Sequence, residues 1–108
     1  MKTYLNKVAA VLAFIIGAMA VFAGGKVLLG IMPDYSYSGN GVRVDGVSDN
    51  RPAKKAGILA GDIVKQLGEY KTPSVEAYMQ ALSKFKKGEK TTALVLRKDQ
   101  EISFEIVF

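Results

Sequence analysis

Neither histidine nor cysteine occurs anywhere in the 108 residues, and tryptophan is missing as well. The first two absences each remove a class of chemistry. Without imidazole there is no usual general base for a serine nucleophile, without thiol there is no thiolate, and without either no zinc site of the common His/Cys kind can be assembled. Carboxylates remain, since 10 Asp and Glu are present, but they are scattered through polar segments and no pair sits where a cleft is indicated. The sequence therefore argues against an enzyme, a resident metal or a cofactor. Lack of cysteine leaves the compartment open, because a disulfide-free chain is tolerated on either side of a membrane.

Charge is missing locally too. The hydrophobic share of 49% is ordinary, yet the 18 residues from Val8 to Gly25 carry no charge at all, so the average hides two pieces. Lys2 and Lys7 precede this run, and small residues close it at Ala18, Ala20, Ala23, Gly24 and Gly25. That is the layout of an export signal, with cleavage after Ala20 or Ala23. A retained membrane anchor competes with it: eighteen residues span roughly 27 Å, just short of a hydrocarbon core of about 30 Å, and running on past Lys26 to Met32 would suffice. A buried soluble helix would need a partner core that the remaining chain is too short to supply. Signal and anchor both send the rest of the chain across the cytoplasmic membrane, leaving it secreted or periplasmic if cleaved and tethered through residues 8–25 if not. Removing Lys2 and Lys7 would lower the formal net charge from +5 to +3, so the basic balance is partly a targeting feature. The cluster Lys84, Lys86, Lys87 and Lys90 lacks interleaved aromatics beyond Phe85 and reads as a solvated helix end complementing the helix dipole, with no nucleic-acid partner implied.

From Pro33 onward, turn and strand signals alternate with two helical ones. VRVDGV, residues 42–47, alternates as a half-buried strand. Asn50 or Asp49 is placed to cap a short helix with Pro52 in its first turn and Gly57 at its end. Gly61-Asp62 turns the chain into the strand IVKQL, with Ile63, Val64 and Leu67 available for the core. Ser74 caps a second helix with Glu76 in its first turn, and Gly88 ends it. Along this helix Tyr78, Leu82 and Phe85 form one apolar stripe, while Val75, Met79 and Leu82 form a second, rotated toward something else. The last residues read as a hairpin turning at Lys98-Asp99-Gln100, with Leu94 and Leu96 on one arm and Ile102, Phe104 and Ile106 on the other. The order gives one small α+β domain, a partly open antiparallel barrel or sandwich of five to six strands capped by two helices and preceded by the N-terminal hydrophobic segment.

PAKKAGILAGDIVKQLGEY, residues 52–70, resembles the signature stretch of PDZ domains, in which P-A-x-x-A-G is followed by a hydrophobic residue, a G-D turn and an apolar strand. VEAYMQALSKF, the K-K-G-E-K turn and two closing strands fit the bacterial PDZ order. LGIMPDY resembles the segment that opens the domain in HtrA-type proteases, and LLGIMPDYSYSGNGVRVDGVS is similar to the C-terminal PDZ domain of exported bacterial zinc aminopeptidases. The resemblance covers residues 27–108. The metal ligands of those aminopeptidases belong to a catalytic domain that this sequence does not contain, so peptidase activity does not come with the likeness.

PDZ domains add a peptide, usually a free C-terminus, as a strand between a sheet edge and the longer helix. The resemblance places the carboxylate loop at Leu28-Leu29-Gly30-Ile31, with the amides of Leu29, Gly30 and Ile31 holding the terminal carboxylate and Lys26 as a long-range countercharge. Ile31 and Met32 would pair with the peptide, Pro33 would end that pairing, and Val75, Met79 and Leu82 would stand across the groove. Val75 occupies the place where many PDZ domains carry His, so the expected ligands have apolar last and third-last residues. The partner is a peptide or protein C-terminus, with a protease or membrane protein as the associated complex. The rival reading is a structural accessory domain with no ligand in its groove. The two differ in whether residues 27–32 form an edge strand beside a groove or continue a membrane helix.

Overall fold

The computed structural model describes residues 27–108; the expected signal or anchor at residues 1–23 and the countercharge Lys26 lie outside the described residues. Six strands and two helices follow one another as β1 (Ile31–Pro33), β2 (Val42–Val47), α1 (Pro52–Ala56), β3 (Ile63–Leu67), β4 (Tyr70–Lys71), α2 (Val75–Leu82), β5 (Lys90–Arg97) and β6 (Gln100–Val107). All pairings are antiparallel. The sheet runs β1-β2-β3-β5-β6, with β4 paired to β3, so β1 is an edge. Among the described residues no helix is long and apolar enough to cross a membrane.

The core forms where the alternating residues meet the helices. Val42 and Val44 of β2, Val64 and Leu67 of β3, Ala93 and Val95 of β5 and Ile106 of β6 are buried together with Ala53, Ile58, Tyr78 and Ala81. On β5, Ala93 and Val95 face inward, while Leu94 and Leu96 are half-buried on the other side. On β3, Val64 and Leu67 are three apart yet both buried, because the pairing with β5 shifts between Val64 and Gln66 and the extra residue returns the strand to its inward face. The buried Thr72 hydroxyl donates to the Val64 carbonyl at 2.9 Å, which fixes the start of the α2 segment against this irregularity.

Two helix ends differ from the expectation. The residue before α1 is Arg51, with no side-chain cap, because Asn50 adopts φ 62° and Asp49 pairs with Lys54 instead. At α2 the Ser74 hydroxyl accepts from the Ala77 N–H as expected, but the helix stops at Leu82 rather than running to Gly88. The Lys84–Lys90 cluster therefore lies on the following turn and the start of β5, and no basic residue occupies the last turn of α2. Phe85 still reaches the core, edge-on to Tyr70 at 5.8 Å and tilted against Phe108 at 5.3 Å. The β5–β6 hairpin turns on Lys98 and Asp99, both with positive φ, as a two-residue turn of matching twist requires.

Candidate binding groove

The site is built from the chain just before β1. Leu29 is fully buried, and its carbonyl accepts from the Ala53 N–H at 2.9 Å, while the Gly30 carbonyl accepts from the Ser48 N–H at 2.8 Å. The start of α1 and the end of β2 thus brace this turn. In a trans peptide the N–H points opposite to the preceding C=O, so the Gly30 N–H is directed away from α1 and the Ile31 N–H away from β2. Neither the Leu29 nor the Gly30 N–H donates to another group among the described residues. Gly30 is needed here twice over. Its φ is +88°, and a Cβ would collide with the Cβ and Cγ of Arg51.

Arg51 is a residue the sequence reading passed over. Its first side-chain carbons lie against Gly30, it is exposed, and it enters no ion pair among the described residues. Nothing in the local sequence signalled this, because the contact joins a helix flank to a turn twenty-one positions earlier.

Pairing parity decides what β1 can offer. Ile31 stands opposite Val47, Met32 opposite Gly46 and Pro33 opposite Val44, with a shift between the last two. The Ser48-to-Gly30 and Asp34-to-Arg43 bonds flank this ladder and make Met32 the residue whose backbone groups face β2. Ile31 and Pro33 therefore present theirs to the open edge. Of the two residues expected to pair with a peptide, Ile31 is so placed and Met32 is not. The Met32 side chain is exposed and lies over Gly46, and Leu28 is exposed as well.

On α2, Tyr78, Ala81 and Leu82 are buried, Val75 is half-buried against the core, and Met79 is 57% exposed. The two stripes read from the sequence are thus distinct, with Leu82 at 7% shared toward the core. Burial pushes the Tyr78 phenol well above its ordinary range, with a smaller contribution from Tyr35. Among the described residues no group of three or more acidic side chains is placed to hold a metal ion.

A second polar cluster supports the scaffold. Asp62 is buried and accepts from the Arg97 guanidinium at 2.8 and 2.7 Å and from the Leu59 N–H at 2.9 Å. The same guanidinium donates to the Gly57 carbonyl at 3.0 Å and lies 5.3 Å from the Phe104 ring centre. Burial alone would raise the Asp62 carboxyl, but the Arg97 and Leu59 hydrogen bonds and the Arg97 charge outweigh it and hold it below the usual carboxylate range.

The family model for the PDZ domain matches residues 27–107. No curated protein matches the chain closely enough to count as a relative. Among solved structures, the HtrA-type protease AlgW with a decapeptide is similar at a TM-score of 0.71 and 20% identity, over 77% of this chain and 29% of that one. An aminopeptidase N family protein from Idiomarina loihiensis is similar at 0.68 and 22%, over 77% and 14%. The HtrA3 PDZ domain bound to a phage-derived ligand is similar at 0.64 and 18%, over 77% and 86%. This chain spans less than a third of that AlgW chain and of that aminopeptidase chain.

Proposed function

The chain belongs to the PDZ domain family, and on that premise we propose that it is a non-enzymatic module that binds the C-terminus of a peptide or protein by strand addition to β1. The carrying observation is the open edge of β1, where the Gly30 and Ile31 amides point away from the carbonyls braced by Ala53 and Ser48. Two unengaged N–H groups suit a carboxylate, and Gly30 lets it approach without a Cβ in the way. Val75 and Met79 supply apolar surface on the helix side, which favours ligands with apolar last and third-last residues. That similar domains are solved with a decapeptide and with a phage-derived ligand supports the reading. Titration of a labelled octapeptide of this kind against its C-terminally amidated form tests it. Affinity in the micromolar range, roughly −8 kcal/mol, is expected for the free acid, and equal binding of the two forms would remove the carboxylate loop.

Ile31–Pro33 is an edge strand and not the continuation of a membrane helix, and this favours the binding module over the accessory domain with no ligand in its groove. The whole-protein activities of the protease and aminopeptidase relatives are not proposed for this chain. Export is proposed from Lys2, Lys7 and the charge-free run Val8–Gly25. Mass measurement of the mature protein from membrane and soluble fractions tests it: loss of about 20 to 23 residues is the signal-peptide outcome, and an intact chain in membranes the anchored one.

A further inference from the structure

The open edge of β1 ends abruptly. After Ile31, the next residue facing outward is Pro33, and beyond it the chain turns back: the Asp34 N–H donates to the Arg43 carbonyl at 2.9 Å and the Tyr37 N–H to the Asp34 carbonyl at 3.2 Å. An antiparallel ligand strand with its carboxylate at Gly30 and Ile31 would exchange two bonds between Ile31 and its last residue. Its third-last residue would then face Pro33. The Pro33 carbonyl can accept that residue's N–H, but proline has no N–H to return.

We infer that Pro33 is a specificity-determining residue that limits the ligand's third-last residue to one backbone bond, from its N–H to the Pro33 carbonyl, leaving its carbonyl to water and offering nothing further upstream. This rests on the strand-addition reading. Besides the Gly30 N–H at the carboxylate, the edge then presents one donor, the Ile31 N–H, and two acceptors, the Ile31 and Pro33 carbonyls. Affinity concentrates in the terminal residue, and selection at the third-last position falls to Val75 and Met79 side-chain contact alone. The partner class is accordingly broad: unrelated chains that expose a short apolar C-terminus, read with little regard to what precedes the last three residues.

The test uses the purified full chain in detergent, its Pro33→Ala variant, and a labelled octapeptide with apolar last and third-last residues and a free carboxylate. A second probe replaces the amide between its third-last and second-last residues with an ester, which weakens the third-last carbonyl as an acceptor. Restoring one donor is worth about threefold to tenfold in affinity, so P33A is expected to bind the parent peptide tighter by that factor. The ester should cost wild type less than about twofold and P33A about threefold or more. Unchanged or weaker binding by P33A with an unshifted melting curve, or an ester penalty in wild type as large as in the variant, overturns the inference. Should P33A lose its folded transition, the ester penalty in wild type decides alone. If wild type binds the free acid no better than the amidated peptide, the strand-addition reading falls and takes this one with it. Carboxylate-dependent binding without the P33A gain removes only the role of Pro33.

Discussion

At the scale of single residues, the groove hangs on Gly30. Its left-handed φ and the contact with Arg51 act together, so a methyl group there meets both backbone strain and a collision. Gly30→Ala should cost about 1–2 kcal/mol from the conformation alone, more with the clash, and should abolish carboxylate-dependent binding. A melting curve together with the octapeptide titration checks both halves, and a variant that melts and binds like wild type would show the turn to be unimportant. The exposed Arg51 side chain starts against Gly30, and on the proposed reading it adds a cation beside the ligand's carboxylate. Arg51→Gln should lower affinity for the free-acid peptide by about twofold to fivefold at low salt, leave the amidated peptide untouched, and lose its effect near 1 M salt, where screening acts within about 3 Å. An equal loss for both peptides would assign Arg51 to packing rather than to charge.

At the scale of elements, the short helix α1 is useful because it is tied at both ends. Its first turn holds the Leu29 carbonyl, and its end at Gly57 is held by Arg97, which also clamps Asp62 at the entrance to β3. The P-A-x-x-A-G to G-D stretch thus connects the binding turn to the β5–β6 hairpin through one guanidinium. Hydrogen bonds to charged groups contribute about 1.5–3 kcal/mol, so Asp62→Asn should cost about 2 kcal/mol at neutral pH. The pH dependence follows from the direction of the shift. Because the folded-state pKa of Asp62 lies below its unfolded value near 4, the stabilisation is complete above about pH 4 and is lost as pH falls through the lower folded value. Melting temperatures of wild type and D62N should therefore converge as pH falls below about 4; a gap that stays constant under acid would mean that the charge of Asp62 contributes nothing.

At the scale of the whole molecule, strand alternation in VRVDGV, the Ser74 cap and the Gly57 stop were all legible in the sequence, because each is a local rule acting within a few residues. The inward face of β5 and the spacing of Val64 and Leu67 were not, since a bulge and a choice between two apolar faces are settled only by the partner strand. Arg51 was hidden for the same reason, and so was the division of Ile31 from Met32, which depends on register with β2. The core is thus a collective product; among the described residues its buried cluster runs from Val27 to Ile106, with Phe108 packed against it. Phe108 itself is tied in, its N–H donating to the Glu89 carbonyl at 2.9 Å and its carbonyl accepting from the Gly88 N–H at 2.6 Å, so this apolar residue is part of the fold. A chain beginning at Gly24 should then unfold in one cooperative transition and bind the octapeptide as the full chain does. One beginning at Ile31 loses Val27 and the fully buried Leu29, a change of the kind that costs about 2–5 kcal/mol, and with them the amides that face the carboxylate. It should melt far lower and bind neither peptide form. If instead the chain starting at Gly24 failed to give a cooperative melt, residues 1–23 would be part of the folding unit, and the division between a targeting segment and a self-sufficient binding domain would have to be abandoned.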